Sequence, residues 1–283
     1  MSLHDTSNQS AKESVSIIRY RTDNPIVKAK IVLKQNLFTF LIQGEKSVHF
    51  AGERLSVKPN QFVLLTAGNC LMTEKTAIAG ADYHSLLMFF DGQLLRDFFV
   101  RHPFNIAKPD MTKAKACLLF EKDSFLENFV RSLESILEVK DAVHYELCKT
   151  KLEELLLYIS GKYPEKLMEI RNTTNETSQE LIVRKAVTSH IGDVTSVDEL
   201  AFLCNMSLST FKRRFAAIYG TSPSKWLLEK RMDKAAKLLR QEKLTASEIY
   251  VELGYENLSS FIQSFKQRYG MTPKQYQMSS LDV

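Results

Sequence analysis

Two segments, "STFKRRFAAIYGTSP" at 209–223 and "SSFIQSFKQRYGMTP" at 259–273, place Phe, Phe, Tyr-Gly and Pro at matching positions, fifty residues apart. A device written twice constrains the fold strongly, because both copies must build the same local structure. Upstream of each lies a capping-box pattern, Ser196-x-x-Glu199 and Thr245-x-x-Glu248, in which hydroxyl and carboxylate satisfy the free backbone donors at a helix start. Each opens a short predicted helix, "VDELAFLC" or "ASEIYVEL", ending in a tight turn, "NM" at 205–206 or "GYE" at 254–256. The first turn residue must be left-handed, which Gly254 adopts freely and Asn205 tolerates.

Ser207 and Asn257 then cap a second helix. In it Leu208, Phe211, Phe215 and Tyr219 share one face, as do Leu258, Phe261, Phe265 and Tyr269, so these residues are expected to dock the helix on its predecessors. Gly220 and Gly270 stop it, and Ser222-Pro223 and Thr272-Pro273 restart the chain as N-cap and first-turn proline. The pattern is helix, tight turn, helix, twice. Its repeated residues account for folding, and the copies differ on the outward face. The first presents Ser209, Lys212, Arg213 and Ala216, with Thr210 and Arg214 beside them; the second presents Ser259, Ile262, Gln263 and Lys266, with Ser260 beside them. A helix-turn-helix sets such a face into the DNA major groove, where Arg or Lys pairs with guanine, Gln with adenine and an aliphatic group with the thymine methyl. Any one of these residues fits a solvated helix face equally well. A helix-turn-helix repeated within one chain does not reduce to packing alone.

Between the copies, "SPSKWLLEKRMDKAAKLLRQ" carries Trp226, Leu227, Met232, Ala235, Ala236, Leu238 and Leu239 as the apolar positions of a bridging helix. Its eighteen or so residues span roughly 27 Å, close to the ~34 Å turn of B-DNA, so two recognition helices at its ends can enter successive major grooves. The charge agrees with a polyanion partner. Residues 1–180 hold 23 Lys plus Arg against 23 Asp plus Glu, and 181–283 hold 15 against 10, so the whole net charge of +5 lies in the last hundred residues.

The segments "ELAFLCNMSLSTFKRRFAAIYGTSPSKWLLEKRMDKAAKLL" and "ASEIYVELGYENLSSFIQSFKQRYGMTPKQY" resemble the AraC/XylS family of bacterial transcription regulators over about a hundred residues. The resemblance implies a C-terminal all-α double helix-turn-helix domain at 181–283 that binds double-stranded DNA, joined by a linker at 171–180 to a sensing or dimerising domain at 1–170. Carried over by position, it implies base-facing roles for Ser209, Thr210, Lys212 and Arg213 in the first motif and for Ser259, Ser260, Ile262 and Gln263 in the second. Lys266 is expected as a further DNA contact from its place on the outward face. Departures fall in the second motif: Gln263 and Gln277 stand where the family often has Arg, and Tyr250 replaces a usually small residue. A weaker phosphate grip is expected there.

The N-terminal part reads as short apolar or alternating segments, "VSIIRYRT", "AKIVLK", "LFTFLIQG", "VHFAG", "QFVLLTAGN" and "YHSLLMFF", broken by "GEKS", "AGER" and "KPNQ". Six strands over about 15–90 predict a small sandwich or barrel, which resembles the cupin-like barrel of many family members. From about 91 to 170 the period becomes helical, with Phe125, Phe129, Leu133 and Leu137 on one face and Cys148, Leu152, Leu155 and Ile159 on another. "RNTTNETSQE" is the polar linker. "LCKTKLEELLLYI" resembles the subgroup related to type III secretion activators. The fold class expected is therefore α+β in two domains: cupin-like β-barrel plus helices, then the double helix-turn-helix.

What the first domain senses stays open at this level between a small-molecule effector and a regulatory protein. Phe38, Phe40, Phe50, Tyr83 and His84 are candidates to line a barrel pocket, or ordinary core. Cys148, Leu152, Leu155 and Ile159 are a candidate homodimer seam, or packing against the chain's own elements. The four cysteines and six histidines are dispersed, without the spacing of a disulfide framework, a zinc site or a reactive-thiol repair enzyme carrying a helix-turn-helix; no metal, cofactor or enzymatic activity is expected. No apolar run approaches a membrane span and "MSLHDTSNQS" lacks a signal-peptide core, so a cytoplasmic location is the expectation. With the AraC/XylS resemblance, the expected function is a transcription regulator, an activator rather than a repressor, placed beside RNA polymerase.

Overall fold

The computed structural model describes residues 13–24, 26–76, 82–103, 115–139, 143–171, 179–190, 194–241 and 244–279. The chain divides into two compact units, Met1–Gln179 and Glu180–Val283. Of the polar stretch at 171–180, residues 172–178 lie outside the described residues.

The first unit is built on two antiparallel sheets. One has the order β1 (Val15–Thr22), β8 (Tyr83–Phe90), β3 (Asn36–Gln43), β6 (Gln61–Leu65), β9 (Cys117–Glu121); the other runs β2 (Ala29–Leu33), β7 (Gly68–Lys75), β4 (Glu45–Phe50), β5 (Glu53–Val57). Helices α1 (Gly92–Arg101), α2 (Ser124–Ile136), α3 (His144–Lys162) and α4 (Pro164–Arg171) complete the unit. The cupin-like barrel thus takes the form of two sheets. Nine strands form among the described residues where the sequence pattern suggested six, and β9 arises beyond Asp91 where only helices were expected.

The five-stranded sheet has a core on each face. Toward the helices lie Phe38, Phe40, Phe62, Met88, Phe90 and Phe120 with Leu126, Phe129, Leu133, Leu152 and Leu155; toward the second sheet lie Leu37, Leu41, Val63, Leu87 and Phe89 with Val48, Phe50 and Met72. This explains why β3 and β8 read as largely apolar runs: a strand buried on both faces has no solvent-facing alternate. On the helix side an aromatic row crosses the strands, with ring centroids 5.4 Å apart for Phe38–Phe90 and Phe40–Phe62 and 4.8 Å for Phe62–Phe120.

Two sequence expectations are corrected here. Phe38 and Phe40 face the helices, as does His84, two residues before Leu86 on the same side of β8, whereas Phe50 and Tyr83 lie between the sheets. Alternate residues of a strand point to opposite faces, so these five side chains do not line one pocket. The seam through Cys148, Leu152, Leu155 and Ile159 is buried to 2% exposure or less in the unit's own core. That face of α3 is occupied by the chain itself and is not available to a second copy.

Between the sheets sits a pair that hydrophobic patterning did not disclose. Lys46 and Glu74 stand directly opposite on β4 and β7, both fully buried, Nζ to Oε1 3.2 Å. Tyr20, on the other sheet, donates its hydroxyl to Glu74 Oε2 at 3.0 Å. Burial and the Glu74 carboxylate hold the Tyr20 phenol well above its ordinary value. A buried charge is tolerable only when paired and hydrogen-bonded in this way.

The second unit is helical: α5 (Gln179–Ser189), α6 (Val197–Leu203), α7 (Leu208–Tyr219), α8 (Pro223–Gln241), α9 (Ala246–Ile249), α10 (Leu258–Tyr269) and α11 (Pro273–Met278). The segment expected as one helix over "ASEIYVEL" is helical only through Ile249, and its remainder is turn. Among the described residues no helix is long and apolar enough to cross a membrane.

Candidate nucleic-acid interface

Each motif is fixed by local chemistry. Ser196 and Glu199 form a complete, reciprocal capping box, and at the second start the Glu248 carboxylate accepts from both the backbone N–H and the hydroxyl of Thr245, each at 2.7 Å. The turn residues are left-handed, Asn205 at φ 54° and Gly254 at φ 78°, and the same pair of backbone bonds closes each turn: Met206 N to Ala201 O and Tyr255 N to Tyr250 O, both 3.0 Å, with Asn205 N to Phe202 O and Gly254 N to Val251 O, both 2.9 Å. Up to this point the copies run forty-nine residues apart. Glu256 is the extra residue in the second turn, and from the caps Ser207 and Asn257 onward the offset is fifty. Ser207 accepts from Thr210 N and Asn257 from Ser260 N, and left-handed Gly220 and Gly270 end both helices.

Phe211, Phe215, Phe261 and Phe265 are fully buried. Phe215 and Phe265 lie 4.5 and 4.7 Å from Tyr219 and Tyr269, so α7 and α10 turn equivalent faces inward. The bridging helix α8 meets the first motif through Trp226, whose ring is 5.8 Å from Phe215 and 5.5 Å from Tyr219. It meets the second through Met232, Ala235, Ala236, Leu238 and Leu239, packed with Ile249, Leu253, Phe261 and Phe265. Lys234 pairs with Glu252 at 2.8 Å. At nineteen residues α8 is about 29 Å long.

The opposite face of α7 leaves Ser209, Lys212, Arg213 and Ala216 exposed, with Thr210 and Arg214 half-buried beside them. On α10 Ser259, Ser260, Gln263 and Lys266 are exposed, while Ile262 is half-buried and packs against the second motif's core. The two strips are therefore not equivalent: where the first carries an exposed Lys212, the second carries a partly covered Ile262. Leu208 also departs from expectation. Spacing puts it on the docking face, yet it is 39% exposed, while its counterpart Leu258 packs on the core.

Family models match both parts of the chain: an ExsA N-terminal regulatory domain over residues 36–170 and a helix-turn-helix domain over 200–279. The chain belongs to the AraC/XylS family. Among AraC/XylS relatives it is 26% identical over 272 residues to the thermoregulatory protein LcrF of Yersinia pestis, covering 95% of this chain and 98% of LcrF. It is 25% identical over 240 residues to the transcriptional regulator ExsA of Pseudomonas aeruginosa, 82% of each chain. ToxT of Vibrio cholerae, a solved structure, aligns over 94% of this chain and 97% of ToxT with a TM-score of 0.45 and 13% identity.

Two departures from the AraC/XylS pattern acquire a place in the structure. Gln277, standing where the family often has Arg, donates Nε2 to the carbonyls of Leu239 and Leu244, each at 3.2 Å, so it ties α11 to the end of the bridging helix. Tyr250 packs against the second core. The role of Gln277 is not visible in local sequence, because Leu239 and Leu244 lie far away along the chain. The four cysteines are all buried; burial pushes the thiols of Cys70 and Cys204 up to about 12 and of Cys148 to about 11, and raises Cys117 with help from Glu53.

Proposed function

We propose that this chain is a sequence-specific DNA-binding activator of transcription that reads one asymmetric site with two recognition helices. The carrying observation is the pair of capped helix-turn-helix copies on one bridging helix, each with an exposed polar strip and the two strips different. Ser209, Thr210, Lys212 and Arg213 face bases in one major groove; Ser259, Ser260, Gln263 and Lys266 face the next, with Ile262 at the edge of that contact. Activation is supported by relatives such as VirF of Yersinia enterocolitica, named a virulence regulon transcriptional activator, and it entails contact with RNA polymerase in the cytoplasm. Lys and Arg supply most of the affinity through phosphates, so binding weakens steeply with salt.

The match to a regulatory domain supports control through the first unit, by a small-molecule ligand or a protein partner. Thermal-shift screening separates these, because a metabolite that binds the folded state raises its melting point. An enzymatic role in DNA repair is disfavoured, since thiols this deeply buried and this weakly acidic are poor nucleophiles. Footprinting on DNA selected by the full chain tests the proposal: protection of one preferred asymmetric site supports it, and uniform binding to all sequences contradicts it.

A further inference from the structure

Tyr219 and Tyr269 end the two recognition helices at equivalent positions, one residue before the glycine caps. They are anchored to different elements. Tyr269 is held within the second motif and the bridging helix: its hydroxyl donates toward Asp233 Oδ1 at 3.3 Å and Met232 O at 3.4 Å, and its ring lies 5.0 Å from Tyr276. Tyr219 shares the bridging helix through Trp226, and it has a second anchor. The guanidinium of Arg184 stands over its ring, 5.7 Å from the centroid.

Arg184 belongs to neither helix-turn-helix. It lies on α5, which starts where the chain passes from the first unit to the second. One turn earlier on the same helix, Glu180 Oε1 accepts from Arg184 Nε and lies beside its Nη2, each at 2.9 Å. Val183, Ala186 and Val187 of α5 are buried, so the helix is itself seated. A helix docked along one face is free to pivot until its end is held, and the side chains it presents need positions held to within about 0.5 Å to read a base edge.

We infer that Arg184 is a positioning residue for the first recognition helix, tying the end of α7 to the helix that follows the unit boundary, so that the first motif and not the second answers to that helix. This rests on the DNA-reading function proposed above. It assigns the two motifs different duties: the second is braced internally and holds its half of the site constitutively, and the first is the half that a change transmitted through α5 can tighten or loosen.

The test uses the full chain on its own selected site, with hydroxyl-radical footprints and affinity titrations for wild type, Arg184→Ala, Arg184→Lys and Tyr219→Leu. Loss of a cation–π contact at a partly exposed ring predicts an affinity lower by about two- to five-fold for Arg184→Ala, with protection lost only in the half-site under α7. Tyr219→Leu, which removes the ring and keeps the charge, is expected to give the same one-sided loss, and Arg184→Lys to restore part of it. A footprint weakened equally in both halves, or Arg184→Ala binding as wild type, overturns the inference and leaves the DNA-reading proposal standing. A wild type without any preferred site removes the basis of both.

Discussion

The two helix-turn-helix copies share a buried skeleton and diverge over most of what faces outward, at Lys212/Ile262, Arg213/Gln263 and Ala216/Lys266. Phe211 and Phe261, Phe215 and Phe265, and the glycine caps occupy the same places in each copy. The turns differ by one residue, the outward strips differ in charge and in coverage, and the tyrosines at the helix ends are braced by different partners. A duplicated motif thus separates two demands that a single motif leaves entangled: what repeats is what folding requires, and what varies is free to serve recognition.

The largest expected effect tests the shared part. Phe215→Ala and Phe265→Ala each remove a fully buried ring and are expected to destabilise the second unit by about 3–5 kcal/mol. Chemical denaturation followed through Trp226, the chain's single tryptophan, reads both. A cost more than two-fold larger for one copy breaks the structural equivalence. Next come the turns. A Cβ at Gly254 would lie 2.5 Å from Val194 Cγ1 at a positive φ, so Gly254→Ala is expected to cost about 1–3 kcal/mol. Asn205→Ala puts a residue that disfavours the left-handed region where Asn tolerates it, about 1–2 kcal/mol for the backbone, and no cost at Gly254 beyond that backbone strain would mean that Val194 yields freely.

Recognition follows. Arg213→Ala is expected to lose about 1–3 kcal/mol of binding on the preferred site and to relax base choice there, whereas an equal loss on random DNA makes Arg213 a phosphate contact. Ile262→Ala is expected to show mainly as lost stability, about 1 kcal/mol, with a smaller change in affinity, because that side chain already packs inward. The smallest effect is Gln277→Ala, about 0.5–1.5 kcal/mol of stability for its two carbonyl contacts. If affinity falls more than stability in that variant, Gln277 grips phosphate after all.

Local chemistry made the second unit legible in the sequence. Caps, left-handed turn residues and terminal prolines act within a few residues, so Ser196, Asn205, Ser207, Gly220 and their counterparts announce their roles without knowledge of the fold. The first unit depends on partners distant along the chain. β7, "GNCLMTEK", turns Glu74 inward only because Lys46 meets it across the sheet, and that breaks the alternation by which a strand is recognised. β9 is five residues long and gains its identity from β6. The pocket candidates failed as a set for the same reason, since which face of a strand a residue takes follows from register. The exposure of Leu208 and the covering of Ile262 arise from how each helix seats, which identical spacing does not encode.

The claim that the copies fold alike and read differently is tested most directly by selecting preferred sites from random DNA with wild type, the double variant Lys212→Ala/Arg213→Ala, and Gln263→Ala. Wild type is expected to select one asymmetric site, with base preferences erased in one half by the first change and reduced only in the other half by the second. Preferences lost together in both halves, or unaltered by either change, would contradict it.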